Sequence, residues 1–117
     1  MERRRVVITG LGAVTPIGLT AMESWQAVKD GVCGVAPITQ FDPTGMKVQL
    51  AAEVKGFVPE NYMSKPEAKR MARFTQLAVV SAKEALENAG FTLDEAEADR
   101  CGVIVSSGIG GLFLTEA

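Results

Sequence analysis

The 117-residue sequence contains no histidine, and this absence excludes more than any other. Without an imidazole, the chain cannot form a cysteine–histidine or serine–histidine nucleophile pair from its own residues. It has only two cysteines, Cys33 and Cys101, which lie far apart and lack a CxxC spacing. Neither a zinc site nor a disulfide framework is therefore predicted, and we interpret both residues as structural. Unpaired thiols fit a reducing cytoplasm best.

Long apolar runs and an excess of charge of one sign are also missing. No stretch approaches the roughly 18 apolar residues that a membrane span requires. The 12 basic and 14 acidic side chains give a net charge of −2, which offers no general attraction to nucleic acid or to an anionic membrane. The sequence is 47% hydrophobic and 22% charged, which is typical of a packed globular domain. Any electrostatic function must therefore be local.

Apolar β-branched runs predict the strands of an α/β fold. The runs over residues 4–10 and 101–107 lack alternation, which is typical of strands buried on both faces of a parallel sheet. A minor third strand is predicted within Lys47–Val54. Two strong strands and a weak one cannot cover both faces of such a sheet, so the sequence is expected to be the beginning of a larger protein.

Capping-box spacings predict the helices. Thr20 with Glu23 begins a helix over about residues 21–30, and residues 92–95 are predicted to cap one further helical turn. Ser64 with Glu67 begins a long helix of about 25 residues that ends at Gly90. The alternation of strands and helices along the chain indicates α/β architecture.

The predicted first strand runs into a glycine-rich segment, VVITGLGAVTPIG, that looks like the start of a dinucleotide-binding domain. Gly10 and Gly12 match two positions of the G-x-G-x-x-G motif, but Thr15 occupies the third. Helix signals begin only at Thr20, too far along for a helix N-terminus to face a phosphate. We therefore interpret the glycines as a tight strand exit.

A row of basic residues opens the long predicted helix. Lys65, Lys69 and Arg73 recur every four residues, and Arg70 lies on the neighbouring row, so the four are predicted to share a face. Cations at a helix N-terminus oppose the macrodipole, and each forgoes a stabilisation of roughly 0.3–1 kcal/mol. Most charge runs are solvated faces, but a local rule broken in this way can also mark a surface for an acidic partner.

Three blocks of the sequence resemble a known family. "RRVVITGLGAVTPIG", "KRMARFTQLAVVSAKEALENAGF" and "CGVIVSSGIGGL" together resemble the N-terminal part of a β-ketoacyl-acyl-carrier-protein synthase. The turn over residues 107–111 is more similar to the type II condensing enzyme of fatty acid synthesis than to the type I enzyme. The resemblance implies that residues 1–117 form an incomplete N-terminal portion of the synthase N-terminal domain. The implied fold is the first part of a thiolase-like α/β fold, with an incomplete mixed or parallel sheet, in a homodimer.

The resemblance also implies an acyltransferase chemistry whose reacting groups lie outside this chain. The family joins an acyl chain, held as a thioester on cysteine, to malonyl-acyl carrier protein with loss of carbon dioxide, and uses no metal or redox cofactor. This reaction needs a thiolate and two imidazoles. Neither Cys33 nor Cys101 matches the nucleophile's motif, and no histidine is present. No catalytic residue is therefore predicted here, and the chain alone is expected to be inactive.

Two features of the family can be transferred by residue. Ile109 matches the residue that lines the acyl pocket near the dimer interface and gates entry of longer chains, with core packing as the simpler alternative. The surface that receives the acidic acyl carrier protein matches three basic residues: Lys65, Lys69 and Arg70. Pro66 replaces a residue that is often basic in the family, and Arg73 has no counterpart.

Two further functions stay open at the level of sequence. One is a non-catalytic binding module that keeps the carrier-protein surface without the chemistry. The other is a related condensing enzyme, such as a polyketide ketosynthase or its inactive chain-length partner. Residues 1–117 do not separate these functions, because the position of the nucleophile lies outside them.

Overall fold

The computed structural model describes residues 3–92 and 94–111. Four helices, two short strands and one 3-10 turn occur in that part of the chain. In chain order they are α1 (Ala21–Lys29), β1 (Val35–Pro37), β2 (Leu50–Ala52), the 3-10 turn (Pro59–Asn61), α2 (Lys65–Arg70), α3 (Arg73–Ala89) and α4 (Glu95–Ala98). The strands β1 and β2 pair antiparallel, with Val35 opposite Ala52. None of the helices among the described residues is long and apolar enough to cross a membrane.

Helix α1 begins and ends where the capping pattern predicts. The Thr20 hydroxyl accepts a hydrogen bond of 3.1 Å from the Glu23 N–H. The Glu23 carboxylate accepts a bond of 2.8 Å from the Leu19 N–H, one residue before the position of an ideal capping box. At the other end, Asp30 caps the helix and Gly31 adopts a positive φ of 68°. The predicted helix over residues 21–30 is confirmed.

The long predicted helix is divided in two. Its complete Ser64–Glu67 capping box and its left-handed stop at Gly90 are as predicted. Between them, however, Met71 and Ala72 have ψ values of 135° and 155°, which end α2 before α3 begins. The prediction of one continuous helix is therefore wrong.

Buried Gln76 stabilises the break between these helices. Its side-chain amide donates hydrogen bonds of 2.8 Å to the Ala68 carbonyl and 3.3 Å to the Met71 carbonyl. A continuous helix would have bonded both carbonyls internally, and a helix end leaves such groups unsatisfied. Gln76 thus supplies donors to the end of α2 while belonging to α3.

The two major strands that the sequence predicts do not form in the described structure. Residues 4–10 and 101–107 have no regular secondary structure, and neither segment pairs with another strand within the described ranges. Val6 is 92% exposed and Ile104 is 97% exposed. A strand forms only where neighbouring chain accepts and donates its backbone hydrogen bonds, and the described residues provide no such neighbour to either run.

The shorter predicted elements, one strand and one helical turn, agree better with the structure. The strand predicted within Lys47–Val54 is confirmed as β2. Its partner β1 is not among the strands predicted above. The helical turn predicted after Thr92 is present as α4, although Leu93 lies outside the described residues. Cys101 was placed at the start of a buried strand, but both it and Cys33 are exposed.

The core is small and lies where α2 and α3 meet the segment before α2. Four buried residues form it: Phe57, Met63, Ala68 and Val80. The Phe57 ring stacks on Tyr62 with the ring centroids 5.4 Å apart. Among the described residues no side chain is less than 2% exposed, and many large apolar side chains face outwards. The apolar surface expected of an incomplete sheet is therefore uncovered.

Candidate functional site

Three of the predicted basic residues form one exposed surface on α2. We call Lys65, Lys69 and Arg70 the α2 basic surface. Within the described part of the chain, none of the three makes a hydrogen bond or ion pair through its side chain. Lys65 and Lys69 are four residues apart, so they lie on the same side of the helix. The surface therefore presents cationic groups that are not neutralised by neighbours.

The break in the helix changes the electrostatics predicted for this surface. Because α2 ends at Arg70, both Lys69 and Arg70 lie in its last turn, where the macrodipole favours cations. Only Lys65, in the first turn, opposes the dipole. The prediction that the whole basic row opposes the dipole is wrong, because it assumed one continuous helix.

Arg73 lies apart from the α2 basic surface. It is the first residue of α3, and its guanidinium carbon lies 4.6 Å from the centroid of the Phe57 ring. Its Nη1 donates a 3.2 Å hydrogen bond to the Phe57 carbonyl. A cation over an aromatic face is attracted by the ring quadrupole, so these contacts hold the start of α3 against the core. Arg73 therefore contacts the core while it remains exposed, and the prediction that it shares one helix face with the three cations of α2 is wrong.

The acidic residue of α2 is bound to the start of its own helix. The Ser64 hydroxyl and N–H donate hydrogen bonds of 2.6 Å and 2.9 Å to one carboxylate oxygen of Glu67. The Ser64 hydroxyl bond is the main cause that lowers the pKa of Glu67 from its ordinary value of 4.5. Its negative charge stabilises the first turn. Glu67 is thus occupied in capping.

Two further exposed carboxylates stabilise turns away from this surface. The pKa of Asp42 is lowered mainly by a hydrogen bond from the Thr44 hydroxyl. The pKa of Glu53 is lowered mainly by the Thr39 hydroxyl, which donates a 2.6 Å hydrogen bond. These shifts arise from loop geometry, and no group of three or more potential metal ligands occurs in the described residues.

Ile109 lies in a glycine turn that the structure places against α3. The Gly110 N–H donates a 2.9 Å hydrogen bond to the Ser107 hydroxyl, which closes the turn locally. A Cβ on Gly110 would lie 2.7 Å from Cγ of Phe74, in the first turn of α3. Ile109 itself is 82% exposed. It packs into no core within the described residues, and the choice between an acyl pocket and core packing stays a prediction.

The glycines of the strand exit are explained by the backbone of α3. A Cβ on Gly12 would overlap the Ser81 carbonyl and lie 2.7 Å from the Ala85 nitrogen. Gly10 is in the same position one turn further on, where a Cβ would lie 2.7 Å from the Ala89 nitrogen. The close contact accounts for both glycines. Residues 4–10 form no strand within the described ranges, so their interpretation as a strand exit stays a prediction.

Glu84 fixes this contact, and sequence reasoning missed it. Its carboxylate accepts hydrogen bonds of 2.8 Å from the Ala13 N–H and 2.8 Å from the Ala21 N–H. Asn88, one turn later, accepts a 3.1 Å bond from the Leu11 N–H. A polar residue on α3 therefore links the strand exit to the start of α1. Nothing in the local sequence around Glu84 indicates these distant partners.

Comparison with known proteins gives the family. A sequence model of the N-terminal domain of β-ketoacyl synthase matches residues 3–117. The chain therefore belongs to the β-ketoacyl synthase family, and the predicted resemblance is confirmed.

Similar proteins are named 3-oxoacyl-[acyl-carrier-protein] synthase 2. The relative from Synechocystis is 42% identical over 99% of this chain, and that from Vibrio cholerae is 44% identical over 99%. The relative from Staphylococcus aureus (strain COL) is 46% identical over 98%. This chain spans 28% of the length of each of the three.

A solved structure supports the fold class. The ishigamide ketosynthase/chain length factor superposes with a TM-score of 0.70 and 37% identity, over 78% of this chain and 23% of that one. The predicted class, the first part of a thiolase-like α/β fold, is confirmed, although the described residues pair only two short antiparallel strands.

Proposed function

We propose that this chain is the N-terminal part of a 3-oxoacyl-[acyl-carrier-protein] synthase that acts in fatty acid biosynthesis. The observation that carries the proposal is a match over almost the whole chain to synthases of that name, at 42% to 46% identity. The chain spans 28% of the length of these relatives, so most of the proposed enzyme lies outside the 117 residues. In this proposal residues 1–117 form an incomplete portion of the N-terminal domain.

The proposed reaction is a decarboxylating condensation. A cysteine thiolate attacks an acyl thioester, so the acyl group moves to the cysteine and the carrier thiol leaves. Malonyl-acyl carrier protein then loses carbon dioxide, and the resulting enolate attacks the bound acyl carbonyl. A carbon–carbon bond forms, and the cysteine thiolate leaves. Because this chain has no histidine, the imidazoles that assist these steps must come from residues outside it. No metal or redox cofactor takes part.

The α2 basic surface supports a role in carrier-protein binding. Its three cations are exposed and free of ion pairs within the described residues, so they are available to an acidic partner. Complementary charge across an interface accelerates association and selects the partner. We propose that Lys65, Lys69 and Arg70 receive acyl carrier protein. Arg73 lies on α3 and is bound to Phe57, so it is not counted in this surface.

The exposed turn of Ile109 supports a role in acyl-chain binding. An isoleucine that is 82% exposed on a turn held against α3 is available to line a pocket completed by other parts of the enzyme. We propose that Ile109 limits the entry of longer acyl chains. The full-length subunit is proposed to act as a homodimer. We also place it in the cytoplasm, because its two exposed free cysteines suit a reducing compartment.

A second candidate function rests on the solved structure that superposes with this chain. That structure is named a ketosynthase/chain length factor. A polyketide ketosynthase subunit, or its non-condensing chain-length partner, would share the features of the described residues. In both cases the carrier-protein surface would be kept, and only the chemistry beyond this chain would differ. A binding module without catalytic activity is the limiting case of the same alternative.

Condensation by the full-length protein tests the proposal. The purified protein is incubated with acyl-acyl carrier protein and malonyl-acyl carrier protein, and the products are identified by mass spectrometry. We expect carbon dioxide and a 3-oxoacyl-acyl carrier protein extended by the decarboxylated malonyl unit. Product formed only after a second, different subunit is added would support the polyketide alternative. Carrier binding without condensation under either condition would support the binding module.

A further inference from the structure

We infer that Phe74 positions the turn that carries Ile109, and thereby contributes to acyl-chain selection. The inference rests on the proposed role of Ile109 in the acyl pocket. Phe74 is assigned as a positioning residue, because its contacts are with the backbone of the turn.

The contact between the ring and the turn is unusually close. A Cβ on Gly110 would lie 2.7 Å from Cγ and 2.8 Å from Cδ1 of Phe74, separations that real Cβ atoms essentially never show. At Gly111 the nearest atom to a Cβ would be Cε1 of Phe74, at 3.0 Å, and φ there is +84°. The backbone of the turn therefore lies directly on the ring, and both positions need glycine for that approach.

Phe74 can act as a support because α3 is anchored at its first turn. Arg73, directly before it, is bound to Phe57 through a hydrogen bond and a cation–π contact. Gln76, two residues after it, is buried and donates to the Ala68 and Met71 carbonyls. The ring is thus carried by a segment that is tied to the core and to the end of α2. A rigid support is the condition for holding another group in a defined position.

The turn has little else to hold it within the described residues. The bond from Gly110 to Ser107 closes the turn on itself and gives it no attachment to another element. Ile109 is 82% exposed, and no heavy atom lies within 4 Å of a Cβ built on Gly108. The Phe74 ring is therefore the contact that relates the position of Ile109 to α3. Helix α3 follows α2 after two residues. Phe74 therefore also links the turn that carries Ile109 to the helix that bears the α2 basic surface.

Two substitutions in the full-length protein test the inference, and a third serves as their control. Phe74→Ala removes the ring, and Phe74→Leu keeps part of its volume. Phe91→Ala serves as the control, since Phe91 follows the opposite end of α3 and is 44% exposed, against 39% for Phe74. Hydrogen exchange of the amides of residues 108–111 is measured first, because it reports how readily the turn opens and does not require activity. The ratio of kcat/KM for long and short acyl substrates is measured second.

We expect Phe74→Ala to accelerate exchange of the turn amides by about tenfold and to change the long-to-short ratio by about tenfold, with Phe74→Leu between the two. Phe91→Ala should change neither. Unchanged exchange in a folded Phe74→Ala protein would overturn the inference, as would equal effects of the two alanine substitutions. Faster exchange with an unchanged ratio would keep the support of the turn and refute its part in selection. If Phe74→Ala accelerates exchange but the unsubstituted protein does not condense acyl chains, the proposed function is refuted and the support of the turn by Phe74 is retained.

Discussion

At the scale of single residues, the contacts that matter most join distant parts of the sequence. The sequence singled out Ile109 and the cations of α2 through their match to a family, and the structure shows them exposed. It gave no sign of the contacts that Glu84, Gln76 and Phe74 make with the backbone of other segments. A side chain's type predicts which bonds it can make, but the partner depends on the tertiary fold. Residue roles of this kind are therefore visible only in three dimensions.

The glycines of the strand exit give a prediction at this scale. We expect Gly12→Ala to lower the free energy of unfolding by about 1–3 kcal/mol, because the new methyl group would press on the backbone of α3 at Ser81 and Ala85. Gly102→Ala is the matched control, since no atom lies within 4 Å of a Cβ there. The midpoint of urea unfolding measures both. Equal midpoints for the two variants would show that the close contact with α3 does not exist.

The capping carboxylate of α2 gives a second prediction. Hydrogen bonds from Ser64 lower the pKa of Glu67 in the folded protein, so its contribution to stability is present above the ordinary pKa of 4.5. This contribution is lost as the pH falls through the lowered pKa, because protonation removes the charged acceptor. Titration of Glu67 by carbon-detected NMR should show a return towards the ordinary pKa in Ser64→Ala. An unshifted pKa in the unsubstituted protein would contradict the capping geometry.

At the scale of elements, the sequence predicted where helices begin and end, but it did not predict the break between α2 and α3. The capping residues Thr20 and Ser64 and the stop at Gly90 lie where expected, because each acts through bonds to its immediate neighbours. The break at Met71 and Ala72 had no local signal, since both residues favour a helix. Tertiary contacts of Arg73 and Gln76 override that preference. Contacts of that range cannot be deduced from helix propensity.

The start of α3 is capped poorly, and this leads to a prediction about the element. Ala72 occupies the N-cap position and makes no side-chain hydrogen bond to the helix. We expect Ala72→Ser to stabilise the first turn of α3 by about 1 kcal/mol. The serine hydroxyl can accept a hydrogen bond from one of the backbone N–H groups that have no partner at the start of the helix. Ala82→Ser, on an exposed position inside α3, is the control and should be neutral or slightly destabilising.

Hydrogen exchange at Phe74 and Thr75 measures the effect of the cap directly. Slower exchange in Ala72→Ser than in the unsubstituted protein is expected. Exchange that is unchanged, or that falls equally in Ala82→Ser, would mean that α3 does not begin at Arg73.

At the scale of the whole molecule, the chain has elements of an α/β fold without a complete core. The apolar runs around Val6 and Ile104 are exposed, and no side chain among the described residues is fully buried. Those runs were predicted as strands from their composition alone. Strand pairing, unlike helix formation, depends on partners elsewhere in a protein. The chain spans 28% of the length of its relatives. The sequence predicts the fold class, while the two runs predicted as parallel strands stay unpaired in the described residues.

We propose that this chain docks the carrier protein, and that residues beyond it carry out the condensation. The most direct test of that division compares charge reversals in the full-length protein. Lys69→Glu combined with Arg70→Glu reverses two of the three charges of the α2 basic surface. Lys47→Glu, at an exposed cation outside that surface, is the control, and Lys69→Glu alone, which changes the net charge by the same amount, is measured beside it. The measurement is kcat and KM for malonyl-acyl carrier protein at low and high salt.

We expect the double reversal to raise KM by about tenfold at low salt with little change in kcat, and high salt to reduce the difference, because exposed charges are screened. The Lys47→Glu protein should retain the KM of the unsubstituted protein at both salt concentrations. Equal KM values for the double reversal and the control, or a loss confined to kcat, would contradict the assignment of carrier docking to α2.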